Sequence, residues 1–356
     1  MPTPANVETK LEAKPEAAPA SKSTGVKRQN NFDIMRLALA SVVIFFHVGY
    51  ISGAPIFARL PRYFSGHLAV EGFFAISGFL IFASWERCSG LADYWRKRAA
   101  RILPGYWLAT AFCLVISFCY GQFHVAKFLV GNLTFLNFIG GAIPGVFASN
   151  PEHGMNGALW TIKIEVMFYV LVPIIVWACR RLHRDTVLWT LFALSIVYRV
   201  LMADHNTLAL QLPGQLSFFM IGALIHYHVR WFEANGWWLT IGAALLYIAH
   251  VATGWFVFRP AGVATLTLSA CLLLPIIKGP TRWGDFSYGT YVLHWPVIQL
   301  VVAAGLYHTH PWAALVLTVV TVAVGAVLSW FFVEKPALAL ANSRRIKTHY
   351  PAVTPS

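Results

Sequence analysis

Charge is what this chain has least of. Only 12% of its 356 residues are charged and 58% are hydrophobic, whereas a soluble domain carries about 25% charged and about 45–50% apolar residues. That scarcity excludes an ordinary soluble globular protein. Acidic residues are the scarcer sign: 14 Asp and Glu stand against 27 Lys and Arg, for a net charge of +13. The surplus does not read as a nucleic-acid surface, because the basic residues recur in short clusters between apolar runs. That is a topology signal, so no nucleic-acid partner is expected. Cysteine is sparse too. Cys88, Cys113, Cys119, Cys179 and Cys271 lie mostly inside or at the ends of apolar runs and lack metal-ligand spacing, which argues against a disulfide framework and a metal site. Residues 1 to about 30 have no apolar core and are rich in Ala, Pro, Lys, Glu and Ser. They read as a disordered cytoplasmic tail and not as a signal peptide.

What is abundant is long apolar runs. Backbone groups in lipid must be satisfied internally, so such runs are helices. Ten spans are expected: 34–53, 67–85, 102–120, 159–178, 187–203, 212–229, 237–252, 260–277, 285–305 and 311–333. Lys22, Lys27, Arg28 and Arg36 precede the first. Arg87, Arg96, Lys97, Arg98 and Arg101 separate the second from the third, Arg180, Arg181 and Arg184 the fourth from the fifth. Arg230 follows the sixth, Lys278 and Arg282 the eighth, and Arg344, Arg345 and Lys347 the tenth. All fall on one side if both termini are cytoplasmic. The opposite loops hold fewer: Arg59, Arg62, Lys127 and Arg259. Residues 126–158 include an apolar stretch too short to span, which predicts a re-entrant or interfacial segment on the outer side. The expected fold is all-α, a polytopic membrane domain over 31–336 with about ten transmembrane helices, followed by a cytoplasmic tail over 337–356.

Ionisable residues inside such spans mark function by default. Arg36 and His47 are eleven positions apart in the first span. At about 100° per residue they return to within about 20° of one helix face, separated by about 16 Å along the axis. An arginine at the surface thus shares a stripe with a histidine near the midplane. Imidazole there suits a general base or a nucleophile, with a packing histidine as the plainer reading. Arg98 and Arg101 share a face at a helix start, where they serve as topology anchors or, with Arg36, bind the phosphates of a cytoplasmic donor. Ser287, Tyr291 and His294 form a polar stripe, and His294, about 13 Å from the end near Asp285, reaches the depth of His47. Pro296 removes a backbone hydrogen bond one turn back. Glu165 sits about six residues in from the outer end of the fourth span, either facing a polar acceptor or bonded to another helix. Glu71 lies near the outer surface, and Ser77-Gly78 permits close helix approach.

In order along the chain these stretches resemble the integral-membrane acyltransferase 3 family of bacterial O-acyltransferases. The resemblance covers about residues 30–336 and rests on Arg36-x10-His47, Phe73-Phe74-Ala-Ile-Ser77-Gly78-Phe79-Leu80-Ile81, and Arg98-x-x-Arg101 with Pro104. Leu159-Trp160-Thr161 through Glu165 to Phe168-Tyr169, Ser287-Tyr288-x-x-Tyr291-x-x-His294-x-Pro296 and Glu334-Lys335-Pro336 complete it. Val166 stands where the family commonly has a second acidic residue. The chain looks like the stand-alone form, without a fused hydrolase-like domain.

The resemblance implies acyl transfer, usually of acetyl from acetyl-CoA, to a hydroxyl of a surface glycan or its lipid-linked precursor, in a bacterial inner membrane. It implies acyl-CoA as a co-substrate and no permanently bound cofactor or metal. His47, with His294 and Tyr291, is then expected to be catalytic. Arg36, Arg98 and Arg101 are expected to hold the donor, with Glu165, Trp160 and Glu71 on the acceptor side. Membrane lipids are the other expected partners, and self-association or polysaccharide-assembly partners stay open. The rival readings are a transporter with a His/Glu proton relay and a non-catalytic scaffold of a polysaccharide-assembly complex.

Overall fold

A computed structural model describes residues 30–343. The expected N-terminal tail up to residue 29, and residues 344–356 with Arg344, Arg345 and Lys347, lie outside the described residues. Ten long helices occupy the ten predicted positions. They are α1 (Phe32–Ile51), α2 (Gly66–Glu86), α3 (Leu91–Cys119), α4 (Trp160–Arg181), α5 (Arg184–Leu201), α6 (Leu212–Tyr227), α7 (Val229–Thr253), α8 (Phe258–Leu272), α9 (Ser287–Ala303) and α10 (Pro311–Ser329). Among the described residues the one β-type pairing is an isolated bridge between Ala142 and Gly154. Seven segments, those of α1, α2, α3, α4, α6, α7 and α10, are long and apolar enough to cross a membrane. The protein is therefore a multi-pass membrane protein. Helices α5, α8 and α9, of 18, 15 and 17 residues, accompany them.

Helix α9 organises the bundle. Every residue from Ser287 to Gln299 is buried, because α9 packs against α1, α3 and α10. A helix enclosed on all sides can carry polar side chains on several faces without meeting lipid. Helices α2 and α6 pack most closely, as the small pair Ser77-Gly78 predicts. A Cβ on Gly78 would collide with the Phe219 carbonyl, and one on Gly222 with the Ala75 carbonyl.

The prolines inside α4 and α9 free backbone carbonyls one turn earlier, and each of these two carbonyls finds a side-chain donor elsewhere. Pro173 leaves the Tyr169 carbonyl, which accepts from Tyr94 Oη at 3.0 Å. Pro296 leaves the Val292 carbonyl, which accepts from Asn156 Nδ2 at 2.8 Å. The second bond fastens the loop before α4 to α9. Trp295 Nε1 donates to the Gly154 carbonyl at 3.0 Å, and Gln299 Nε2 donates to those of Glu152 (2.7 Å) and Gly154 (2.9 Å). The segment before this loop forms an eight-residue helix, Ala126–Leu133, about 12 Å long and too short to cross.

Some boundaries differ from expectation. Helix α3 begins at Leu91 and not near 102, because Asp93 pairs with Arg96 and Lys97 one turn ahead and holds the basic stretch helical. Helix α7 begins at Val229 and not near 237. Beyond α10 the chain continues through a π-helical turn (Trp330–Glu334) into α11 (Lys335–Ser343), which packs on α3. The expected C-terminal tail thus begins as helix.

Candidate active site

Three helices bring arginines to one place. Arg36 comes from the first turns of α1, and Arg98 and Arg101 from one face of α3. With Arg87 they line a cavity of about 220 Å³, together with Ser77, Ser84, Glu165 and Tyr169. Arg36 Nη1 donates to Asp285 Oδ2 at 2.7 Å, and Arg101 Nη2 donates to the same oxygen. Ser287 N and Oγ hold the other oxygen, Oδ1. Burial pushes the Asp285 carboxyl up, but the Arg101 and Arg36 guanidiniums outweigh it and hold the group well below the usual carboxylate range. Asp285 is therefore an ionised post that aims two guanidiniums at one spot. Arg98 Nη2 donates to Ser84 Oγ at 3.0 Å and its guanidinium lies over the Tyr169 ring. Four arginines against one lining carboxylate leave the cavity cationic.

A narrow neck of about 50 Å³ adjoins this cavity through Arg36, Ser77 and Glu165, and is closed by Phe73, Thr161 and Tyr291. The Tyr291 hydroxyl and Thr161 Oγ1 are 2.7 Å apart. The Tyr291 ring lies edge-on to His294, centroids 5.8 Å apart.

His294, packed against the Tyr291 ring that lines the neck, meets His47. Nδ1 of His47 is 2.8 Å from Nε2 of His294, with the rings stacked at 5.0 Å. His294 Nδ1 lies 2.6 Å from the Tyr291 carbonyl, a pure acceptor, so Nδ1 must carry the proton. Nε2 of His294 then has a lone pair and accepts from Nδ1–H of His47. By that assignment, made from the hydrogen-bond network, Nε2 of His47 carries the free lone pair. His294 is fully buried while His47 is half-buried, so His47 is the member a substrate can reach. The Trp295 ring packs edge-on to His47 at 4.8 Å.

The structure thus joins the two histidines and Tyr291 in one cluster and the three arginines in another. The three residues expected on the acceptor side lie apart from one another. Glu165, expected on the acceptor side, lines the arginine cavity and accepts from Tyr169 Oη at 2.8 Å. The reason is reach: Arg98 and Arg101 lie about two to three turns into α3, so their long side chains and Glu165, in the second turn of α4, line one cavity. Glu71 faces away from the neck and is held by Arg259 Nε, at 3.1 and 2.9 Å to its two oxygens. Trp160 packs half-buried against the core and lines neither the cavity nor the neck.

Sequence reasoning missed Asp285, Thr161, Arg87 and Asn156 as site residues. Asp285 had one available signal, since clustered buried arginines require a counter-ion. Thr161 and Asn156 act through contacts between distant segments, which no local pattern announces.

The pattern of the acyltransferase 3 family, an acyltransferase domain, matches residues 29–330. Nodulation protein 10 of Rhizobium leguminosarum bv. viciae is 30% identical, covering 88% of this chain and 95% of its own. The O-acetyl transferase of Shigella phage Sf6 is 27% identical over 89% of this chain and 98% of its own. Exopolysaccharide production protein ExoZ of Rhizobium meliloti is 26% identical over 79% and 92%. No solved structure matches the chain. With the cavity, neck and histidine pair built from the residues that carry the family's pattern, the chain belongs to the acyltransferase 3 family and is an acyltransferase.

Proposed function

We propose that this protein transfers an acyl group, acetyl in the first instance, from acyl-CoA to a hydroxyl of a cell-surface glycan or its lipid-linked precursor. The reading includes ten membrane crossings in a bacterial inner membrane, both termini and the arginine cavity on the cytoplasmic side. Similarity to an O-acetyl transferase and to an exopolysaccharide production protein supports this class of acceptor. The single observation that carries the mechanism is the histidine pair packed against Tyr291, a residue that lines the neck adjoining the cationic cavity.

In this reading Arg36, Arg98 and Arg101 bind the donor's phosphates by charge-assisted hydrogen bonds. The thioester arm passes Ser77, Thr161 and Tyr291 toward His47. Nε2 of His47 takes the proton of the acceptor hydroxyl as its oxygen attacks the thioester carbon. The tetrahedral intermediate collapses, the C–S bond breaks, and the thiolate recovers the proton from His47. His294 keeps His47 in the productive tautomer, since its own Nδ1–H is fixed on the Tyr291 carbonyl. The same lone pair would accept the acyl group in a two-step route. The Tyr291 hydroxyl, which bonds the Ala158 carbonyl and Thr161, turns from that carbonyl to donate where charge develops on the thioester oxygen. Fixing both reactants at one histidine replaces a bimolecular encounter, worth up to about 7–11 kcal/mol of barrier.

Mass spectrometry of the host's surface glycans tests the proposal. Ester-linked acetyl should vanish on deletion, return with the wild-type protein, and not return with an inserted His47→Ala protein. Unchanged glycan acetylation in the deletion strain would refute it.

A further inference from the structure

A second cavity, of about 550 Å³, opens at the other end of the bundle and is lined by Arg199, Asn206, Ala209, Trp255 and Phe256. Its position follows from chain direction. Glu71 and Ser84 are thirteen residues apart on α2, about 20 Å along the axis. Ser84 lines the arginine cavity, whereas Glu71 belongs to the ion cluster beneath this second one.

That cluster is built and not incidental. Glu71 is 2% exposed and takes both oxygens to Arg259 Nε. Arg259 Nη1 lies 3.3 Å from His250 Nε2, and His250 Nδ1 lies 3.1 Å from the Trp255 carbonyl. A guanidinium only donates, so His250 accepts at Nε2 and donates at Nδ1. Gly254 closes α7 at φ +73°, a conformation that suits glycine, and turns the chain so that Trp255 follows at the rim. The Trp255 ring is 65% exposed and parallel to Phe258. A buried ion pair is thus wired by hydrogen bonds to an exposed aromatic platform.

Arg199 completes the cavity. Its guanidinium lies over the Phe256 ring at 4.7 Å and donates to the Ala209 carbonyl at 2.6 Å. Among the described residues it pairs with no carboxylate. It lies within electrostatic reach of Glu71 and Arg259, so two guanidiniums stand against one carboxylate.

An aromatic face, a side-chain amide and a guanidinium with spare charge suit a sugar bearing a negative group. We propose that the cavity at Arg199 and Trp255 binds a negatively charged saccharide, uronate- or phosphate-bearing, as part of the acceptor. The proposal deepens the reading of this chain as a glycan acyltransferase and rests on it.

The test uses the full chain in nanodiscs of neutral lipid, with tetragalacturonate and neutral chitotetraose as probes and no donor present. Wild type should bind the acidic probe at least about tenfold more tightly. Arg199→Gln should bring that ratio close to one, and Arg199→Lys should restore most of it. Trp255→Ala, at an exposed position that does not threaten folding, should weaken both probes about fivefold. Equal binding of the two probes by wild type, or a ratio that survives Arg199→Gln, would overturn the proposal. So would loss of the ratio when phosphatidylglycerol replaces the neutral lipid, since a lipid headgroup would then be the occupant. Glycan acetylation by wild type in the host is read separately. Esters without a binding ratio remove the site and keep the function; a ratio without esters removes the function and keeps an acidic-saccharide site.

Discussion

Two buried clusters, at opposite ends of the bundle, each set two arginines against one carboxylate, and they use it differently. At the arginine cavity both guanidiniums, from Arg36 and Arg101, donate to one oxygen of Asp285. At the other end Glu71 gives both its oxygens to Arg259, and Arg199 is held instead by a carbonyl and a ring. In the first, the carboxylate aims two donors at a shared point, as a polyphosphate requires. In the second, it locks one arginine into the scaffold and leaves the other beside an aromatic platform. The same charge count therefore makes a convergent clamp at one end and a single anchored cation at the other. The histidine pair lies between them.

The largest expected effect falls on neither cluster. His47→Ala should lower transfer by at least about 10³-fold, while donor and acceptor binding, read by calorimetry, stay close to wild type. Loss of both binding events together with transfer would show that the ends are not independent of the middle. Next, Glu71→Gln should destabilise the protein by about 1.5–3 kcal/mol, because it removes the charge that accepts two hydrogen bonds from the half-buried Arg259 guanidinium; thermal unfolding in detergent measures this. A wild-type melting temperature would mean the Glu71–Arg259 pair is not part of the scaffold. Asp285→Asn keeps the shape of the inner post but removes its charge. It should raise the donor KM about tenfold and leave the acceptor KM unmoved. A change confined to the acceptor would reverse the roles assigned to the two ends. A smaller effect is expected of Tyr291→Phe, which loses one neutral hydrogen bond worth about 0.5–1.5 kcal/mol, so kcat should fall several-fold and not by orders of magnitude.

The smallest effect is a flat pH response. Because the folded-state pKa of Asp285 is depressed, its stabilisation is present above the unfolded value near 4 and is lost only as pH falls through the lower folded value. Donor affinity should not change between about pH 7 and 9 through this group. A titration of donor affinity within that window would show that Asp285 is not the ionised post of the clamp.

How much of this was legible in the sequence follows from what each signal measures. Apolar runs located all ten long helices, because burial in lipid or in a bundle demands the same continuous hydrophobicity. Helical spacing located depth, so Arg36, His47 and His294 were placed along their axes, and the equal depth of the two histidines became a 2.8 Å contact. Spacing carries no azimuth relative to other helices. Depth alone puts Glu165 on the acceptor side, while in the structure it lines one cavity with Arg36, Arg87, Arg98 and Arg101. Glu71 was placed near the outer surface, and its partner Arg259 lies 188 positions away. Polar bonds across that separation depend on tertiary packing, as do those of Asn156 and Thr161. Pro296 shows the middle case: the freed carbonyl was predictable, its donor was not.

The central claim of the proposal is that transfer from a donor bound at the arginine cavity to a glycan acceptor depends on the His47 imidazole. Proteoliposomes with one orientation, labelled acetyl-CoA on the side of the arginine cavity and glycan on the other, test it most directly. The account predicts labelled ester on the glycan with wild type and none with His47→Ala. Labelled ester at the wild-type rate with His47→Ala, or label crossing the membrane without forming an ester, would contradict it.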